Sequence, residues 1–397
     1  LTVEIMTPAV TREIINSVTV TNSDPSLGTG TASQSNLVVN FLDGTGFLPE
    51  QKVTDTDGAT IFGDSGADFG SSVVLRDDLL IIGSPDDFDG ASDGNGIQSG
   101  AVVIYQRLPS GWVQLPRLVK PGAHAPGDEF GRSLAWDGNW LVVGSPGAGE
   151  VHVFDSGFAN PQTLAVTDGS ASLDNDFGRA VAISNSRIAV GSPRADINGA
   201  NNGRVYLCEE NAGVWAQAGS VDSAEVGSIT GISSDNSDFG AAVALQGDRL
   251  VIGAPYENGP VSQGVVLLYE YTGGSWLYQQ ALLKPTIDKP DAFGRSLDIE
   301  GDSIVVGAMF HDSGHPDSGA AHVFSLDASG NWNHDQKLVA SNAISGEEFG
   351  ISVDLQGDTL LVGAYGGLNP IPNFVSGIGY VFQRTGSVWN EQQIVSA

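Results

Sequence analysis

One interval recurs six times along this 397-residue chain and constrains its fold more than any other feature. Each copy begins with a Phe-Gly pair and ends, fourteen residues after the phenylalanine, with a glycine that opens a Gly-Ser-Pro, Gly-Ala-Pro or related tripeptide. Self-similarity at a period of about 56 residues is the signature of a repeat fold. The phenylalanines are Phe69, Phe130, Phe177, Phe239, Phe293 and Phe349, and the closing glycines are Gly83, Gly144, Gly191, Gly253, Gly307 and Gly363.

Short apolar runs separated by polar turns fill this interval. The segments 243–245 and 250–252 flank the turn 246–248 and predict a hairpin. An alternating run such as 265–269 predicts a third strand, and an aromatic residue such as Trp276 begins a fourth. Four meandering strands per repeat are typical of a propeller blade, and ring closure removes exposed sheet edges. We therefore predict an all-β chain, a β-propeller of four-stranded antiparallel blades.

The first 60 residues lack a Phe-Gly pair, yet residues 41–53 match residues 324–338 over the third and fourth strands. We interpret residues 1–60 as a degenerate first blade and residues 61–397 as six further blades of the same propeller. Seven blades are the leading interpretation. Six blades with an N-terminal extension are the alternative.

The charge balance limits the partners that the chain can bind. Its 47 acidic and 17 basic residues give a formal net charge of −30. This charge repels phosphate backbones, so we expect no nucleic-acid partner. It suits divalent cations or a high-salt setting, or serves solubility alone. The sequence contains no apolar run long enough to span a bilayer, so we expect no membrane insertion.

The Phe-Gly and Gly-Ala-Pro signature resembles the FG-GAP repeat of integrin α-subunit propellers and of many bacterial secreted proteins. The resemblance covers the chain well beyond residue 60 and implies an extracellular or cell-surface protein. It says less about activity, because one fold can serve many functions. Integrin-type repeats that bind calcium carry an Asp-x-Asp-x-Asp-Gly loop between the first and second strands. Here that connection is a short turn such as 246–248, which is too short to surround a Ca²⁺ ion that requires six to eight oxygen ligands.

Acidic residues collect in two sets of loops, which a meandering blade places on the same face. Bridging loops join the second strand to the third, and incoming loops lead into each blade and end at its Phe-Gly pair. One bridging loop offers alternating oxygen ligands with glycines that allow tight wrapping, as calcium requires. We predict a calcium site there, and an ordinary Asn/Asp/Gly turn is the alternative. The predicted ligands are Asp87, Asp89, Asp93 and Asn95.

Each incoming loop also has an acid within one or two residues of its Phe-Gly pair. Because this acid recurs in blades with different loops, we predict that it accepts backbone N–H bonds at the strand entrance. Ion binding is the alternative. The phenylalanine itself is predicted to pack between neighbouring blades.

The histidines give only a weak metal signal. His311 and His315 form a close pair, but a loop lacks the helical register that makes such ligands converge. His152 and His322 lie on third strands and are predicted to be structural. The sequence has no nucleophile elbow, phosphate loop or dinucleotide fingerprint.

These features favour a non-catalytic extracellular recognition or adhesion module. It would bind a protein or polysaccharide of the cell surface or matrix through its loops, with Ca²⁺ assisting. One alternative is a structural subunit of a surface layer, fibre or virion. Another is a polysaccharide lyase or hydrolase, although Arg194 is the only basic residue in a bridging loop and a lyase needs cations to neutralise uronate.

Overall fold

Short runs of alternating apolar residues form β-strands throughout the described part of the chain. The structure is a computed structural model that describes residues 2–6, 20–22, 35–42, 51–54, 68–76, 78–87, 97–108, 111–165, 176–196, 202–223, 237–255, 264–286, 290–367 and 376–396. Within those ranges no helix is long and apolar enough to cross a membrane. The chain divides into two compact units, Leu1–Val166 with Ala397 and Thr167–Ser396.

The described part of the first unit forms three sheets, two of which are antiparallel meanders. The meanders have the strand orders β5-β6-β7-β8 and β10-β11-β12-β13, and β9 also pairs with β7. Pro116 lies between β8 and β9 and has no N–H to donate, so the outermost strand is split into two pieces. The strands of this unit are β1 (Thr2–Met6), β2 (Val20–Asn22), β3 (Ser35–Leu42), β4 (Gln51–Thr54), β5 (Ser72–Arg76), β6 (Leu79–Ser84), β7 (Ala101–Leu108), β8 (Gly111–Gln114), β9 (Leu118–Val119), β10 (Ser133–Trp136), β11 (Trp140–Ser145), β12 (Glu150–Asp155) and β13 (Gln162–Ala165).

The remaining sheet of this unit differs from a regular blade. Strands β2, β3 and β4 pair consecutively and antiparallel. Strand β1, however, pairs with β3 in parallel, which no meander does. The assignment of residues 1–60 to a degenerate blade, and the boundary at residue 61, therefore stay predictions.

Within the second unit, the residues that the structure describes form four antiparallel meanders, each made of four consecutive strands. The strands are β14 (Ala180–Ser184), β15 (Arg187–Ser192), β16 (Arg204–Asn211), β17 (Val214–Asp222), β18 (Ala242–Gln246), β19 (Arg249–Ala254), β20 (Val265–Thr272), β21 (Ser275–Leu282), β22 (Leu297–Glu300), β23 (Ser303–Ala308), β24 (Ala320–Leu326), β25 (Trp332–Leu338), β26 (Ser352–Gln356), β27 (Thr359–Gly367), β28 (Ser376–Thr385) and β29 (Val388–Ser396). The innermost strands β14, β18, β22 and β26 lie side by side in that order.

The described residues thus form six meandering four-stranded blades, which confirms the all-β, β-propeller prediction. Each predicted fourteen-residue interval forms the inner hairpin of one blade. The glycine of each Phe-Gly pair donates its N–H to the carbonyl of the closing glycine, as from Gly70 to Gly83 at 2.9 Å and from Gly350 to Gly363 at 2.9 Å. The interval is constant because one residue more or fewer would break this hydrogen bond and turn the side chains to the opposite face.

The apolar core lies between neighbouring blades. Phe349 has none of its surface exposed and packs with Val305 of the preceding blade and Leu360 of its own. Its ring also meets Tyr380 edge to face, with 5.1 Å between the centroids. Phe130 occupies the same position in the first unit, beside Ile81 and Leu141. These contacts confirm that the repeated phenylalanines pack between blades.

Candidate functional site

The site begins with the turn that carries each Phe-Gly pair. The residue before every phenylalanine has a left-handed φ of 48° to 58°, and the following glycine has a φ of 91° to 95°. The carbonyl of the residue before the phenylalanine accepts a hydrogen bond from the N–H three positions later, as between Arg132 N and Glu129 O at 3.1 Å. Asp and Asn adopt left-handed φ values more readily than most residues with a Cβ. The six residues are Asp68, Glu129, Asp176, Asp238, Ala292 and Glu348.

The acids two positions before the phenylalanine are buried and structural. Asp128 accepts the N–H of Ala125 at 2.8 Å, and Glu347 accepts the N–H of Ile344 at 3.0 Å. Asp291 accepts the N–H of Phe293 at 3.3 Å and has no exposed surface. The predicted role of accepting backbone N–H bonds is therefore confirmed for these three acids.

The acids one position before the phenylalanine behave differently, because their side chains are half-buried or exposed. They lie near the bridging loops, as the sequence predicted. In the first unit, Asp86 of a bridging loop and Asp68 of an incoming loop share a hydrogen bond. Burial raises the pKa of Asp86, and the neighbouring carboxyl of Asp68 and the charge of Glu129 raise it further.

The same pairing of loops occurs in the second unit. The N–H of Glu348 donates to the carbonyl of Asp317 at 3.1 Å, and the N–H of Gly346 donates to Pro316 O at 2.9 Å. Burial raises the pKa of Glu348, and the nearby Asp317 carboxylate raises it further. We use the name loop face for the surface that the bridging and incoming loops form within each unit.

A group of mixed charge lies on the loop face of the second unit. Arg194 of a bridging loop forms an ion pair with Asp176 at 3.5 Å. Burial raises the pKa of Asp238, and the charges of Arg295, Arg194 and Arg179 oppose that rise. Sequence reasoning picked out Arg194 and missed the other two arginines. Arg179 and Arg295 both lie two residues after a repeated phenylalanine, a regularity in the sequence that could have revealed them.

The predicted calcium ligands are only partly described. The Asp87 side chain is buried and forms an ion pair with Arg117 at 3.1 Å, while its carbonyl accepts the N–H of Gly100 at 3.0 Å. Asp89, Asp93 and Asn95 lie outside the described residues. Among the residues that the structure describes, no three His, Cys, Asp or Glu side chains are grouped to hold a metal ion. The calcium site stays a prediction.

The histidines belong to a buried polar network between blades. His311 Nδ1 lies 3.2 Å from Asp291 Oδ2, and its Nε2 lies 3.1 Å from Lys337 Nζ. Lys284 forms a short ion pair with Asp291, and neither side chain is exposed. His322 Nδ1 lies 3.0 Å from His334 Nε2. This arrangement agrees with the predicted structural role of His322.

Comparison with known proteins identifies the repeat. The FG-GAP repeat family matches residues 112–159, 161–208, 276–324 and 332–382. Two of these matches begin inside β21 and β25, and they end inside β24 and β28. Each of those matched repeats therefore spans the outermost strand of one blade and the first three strands of the next. No curated protein matches the sequence.

Solved structures resemble the chain in fold. One is a protein from Bacteroides uniformis that is provisionally named a 6-phosphogluconolactonase; it is 12% identical, covers 96% of both chains and has a TM-score of 0.56. Another, described as the structure of U3-55K, is 11% identical, covers 84% of this chain and 83% of its own, and has a TM-score of 0.48. At 12% identity the first likeness shows the fold alone. The chain belongs to the FG-GAP repeat family of β-propellers, as its six Phe-Gly turns, six blades and four matched repeats show.

Proposed function

We propose that this protein is a non-catalytic recognition or adhesion module of the cell surface or extracellular matrix. It binds a protein or polysaccharide through its loop face. FG-GAP propellers support binding and recognition in general, and that general role agrees with the family match. The nature of the ligand rests on the construction of the loop face.

One observation carries this proposal. The Phe-Gly turns hold the start of every blade in the same backbone conformation, while the bridging loops beside them differ in length and sequence. Binding sites are commonly built in this way, with variable loops positioned by a rigid scaffold. The backbone bonds between loops, such as Gly127 N to Gln98 O at 2.8 Å, hold the two sets of loops against each other.

A screen of immobilised glycans and matrix proteins with the whole labelled chain tests this proposal. Each ligand that the screen identifies is then tested for binding to the double variant Asp196→Ala/His315→Ala, which changes two exposed residues of bridging loops. The matched control is Arg249→Gln, at the inner hairpin turns, where Arg249 Nη1 lies 3.3 Å from Asp302. We expect the loop variant to lose binding and the control to keep it. Equal binding by both variants would place the ligand elsewhere and contradict the proposal.

The proposed calcium site predicts a separate result. Asp89, Asp93 and Asn95 would supply oxygen ligands, and Asp87 would have to exchange Arg117 for the ion. We expect Ca²⁺ to raise the melting temperature of the chain, because an ion that binds only the folded state stabilises it. The variant Asp89→Asn/Asp93→Asn should abolish that rise, whereas Asp137→Asn in a hairpin turn should leave it intact. A melting temperature unaffected by Ca²⁺ in the natural chain would rule the site out.

A further inference from the structure

Two charged side chains between consecutive blades are removed from water and lie against each other. Lys284 follows β21, the outermost strand of one blade, and Asp291 precedes β22, the innermost strand of the next. The Lys284 ammonium forms a short ion pair with the Asp291 carboxylate, and neither side chain has any exposed surface. An amine and a carboxyl group are the two reactants of an amide bond, and holding them in contact makes their reaction intramolecular.

Burial favours the uncharged forms of these two groups. Removing an ammonium and a carboxylate from water is costly, and their mutual attraction can fall short of that cost. Transfer of one proton from Lys284 Nζ to Asp291 Oδ2 cancels both charges and leaves an amine beside a carboxylic acid. The amine then has the lone pair that an attack on the Cγ carbon of Asp291 requires.

The two oxygens of the Asp291 carboxyl group have different partners. The backbone N–H of Phe293 lies 3.3 Å from Oδ1, where it stabilises negative charge that develops on this oxygen. His311 Nδ1 lies 3.2 Å from Oδ2. On the other side of the ring, Lys337 Nζ lies 3.1 Å from His311 Nε2. An ammonium group only donates, so Nε2 is the acceptor and Nδ1 presents its proton to Oδ2.

We infer that Lys284 and Asp291 condense to form an intramolecular isopeptide bond, with His311 as the general acid. Nζ attacks Cγ and forms the C–N bond, while the π electron pair of the carbonyl moves onto Oδ1. When that pair returns, the Cγ–Oδ2 bond breaks, and the protonated Oδ2 takes the Nδ1 proton of His311 and leaves as water. The surplus proton on Nζ then replaces the one that His311 donated. The reaction releases one water and consumes no other reagent.

The isopeptide bond ties the end of one blade to the start of the next. It joins the chain just after β21 to the chain just before β22, and it removes two buried charges from the space between the blades. Exclusion of water from the site protects the new bond from hydrolysis. The inference goes beyond the proposed function, which stands whether or not this bond forms.

The first unit contains a matched pair with a different arrangement. Lys120 Nζ lies 3.6 Å from the carboxylate of Asp128, the acid at the same position before its phenylalanine. Lys120 also lies 3.0 Å from the carboxylate of Glu150, whose side chain is 31% exposed, so a second carboxylate in contact with water shares this ammonium. Ala148 occupies the position of the histidine, four residues after the closing glycine. We therefore expect Lys120 and Asp128 to remain an ion pair.

The mass of the intact, folded chain tests the inference. We expect it to lie one water below the mass that the sequence dictates. Fragmentation should show that residues 284 and 291 stay joined when the backbone between them is cleaved. Lys284→Arg keeps the cation but has no amine nucleophile, so it should have its full mass, whereas the matched control Lys120→Arg should still lose one water.

Three results would overturn the isopeptide bond. They are a natural chain of full mass, a water loss that fragmentation places elsewhere in the chain, and a water loss that Lys120→Arg abolishes. The first two are measured on the natural protein and do not depend on whether a variant folds. Melting temperatures establish that each variant is folded.

The role of His311 is tested by the rate at which the bond forms. Newly synthesised protein is sampled over time, and the fraction that has lost water is measured by mass. His311→Gln keeps a hydrogen-bond donor but is a much weaker acid and base, so bond formation should slow by about ten-fold or more. His315→Ala, at an exposed position of the same bridging loop, is the control and should react at the natural rate. Equal rates in His311→Gln and the natural chain would overturn the assignment of His311 as general acid.

Discussion

Single residues in this protein are constrained mainly by how closely neighbouring blades approach. Gly319 has a φ of +84°, and a Cβ added to it would lie 2.1 Å from the carbonyl oxygen of Phe349 in the next blade. Gly330 has almost the same φ, +85°, but a Cβ there would meet nothing within 4 Å. The pair therefore separates the cost of a left-handed backbone from the cost of a backbone clash.

We expect Gly319→Ala to destabilise the protein by more than about 3 kcal/mol, because the backbones of two blades must separate. Gly330→Ala should cost only about 1 kcal/mol, for the strained φ alone. Urea unfolding of both variants measures the difference. Similar losses in the two variants would show that contact between the blades adds nothing to the cost.

His322 makes stability depend on pH. The pKa of His322 is lowered to about 3, mainly by burial and to a smaller extent by the charges of His334, His311, Lys337 and Lys284. The unfolded chain binds this proton near pH 6.5, so the stabilising contribution is complete above that pH. It is lost as the pH falls from about 6.5 towards 3. Between pH 7 and pH 4 we expect this loss to amount to about 3 kcal/mol.

The variant His322→Leu should lose less stability over this pH range, because leucine does not bind a proton. The position accepts leucine, since Leu267 occupies the equivalent position in β20. The free energy of unfolding at pH 7 and pH 4, measured by denaturant, gives the comparison. His315→Ala, at an exposed loop position, is the control, and its free energy of unfolding should change with pH as that of the natural protein does. A pH dependence that His322→Leu leaves unchanged would contradict this assignment.

At the scale of the strand, glutamine side chains join the outermost strands of neighbouring blades. Each amide group bonds a backbone N–H and a backbone carbonyl, as a neighbouring strand would. Gln336 of β25 donates to the carbonyl of Trp389 at 2.8 Å and accepts its N–H at 2.9 Å. Gln280 of β21 makes the same two bonds to Trp332, at 2.7 Å and 2.9 Å. Each glutamine thus links the outermost strand of one blade to that of the next and satisfies backbone groups at an open edge.

We expect Gln336→Ala to cost about 2 kcal/mol, because it leaves both backbone groups of Trp389 without this partner. Gln392→Ala is the control, since the exposed Gln392 donates to the carbonyl of Asn390 in its own strand, at 3.3 Å, and not to a neighbouring blade among the described residues. That change should cost less than about 0.5 kcal/mol. Thermal unfolding of the two variants distinguishes them, and equal midpoints would refute a stabilising role for the bridge.

At the scale of the whole molecule, the net charge of −30 is the dominant electrostatic feature. Self-repulsion at this charge destabilises the compact state, and salt screens it. We expect the melting temperature to rise by several degrees between about 20 mM and 500 mM NaCl, measured without divalent cations. A fall over that range would show that favourable ion pairs, such as Arg187 with Asp248 at 2.7 Å, outweigh the repulsion.

The sequence by itself determined the blade, because the hydrogen bond that defines it is local. A Phe-Gly glycine and its closing glycine are a fixed distance apart along the chain, so their bond appears as a constant interval. The third strands, the packing of the phenylalanines and the family followed from the same repetition. The spacing of residues in the sequence could not show that Asp128 is buried while Glu129 is half-buried. The two acids are adjacent and differ in the direction of their side chains, which the sequence pattern does not record.

Only the tertiary structure decided which charged groups meet. Lys284 and Asp291 form an ion pair inside the buried network, where neither side chain is exposed. Arg179 and Arg295 precede β14 and β22, the innermost strands of two different blades, and β18, which follows Asp238, lies between those strands, so both charges act on the Asp238 carboxyl. Local hydrogen bonds leave a period in the sequence, whereas contacts between blades depend on the packing of separate sheets and leave none.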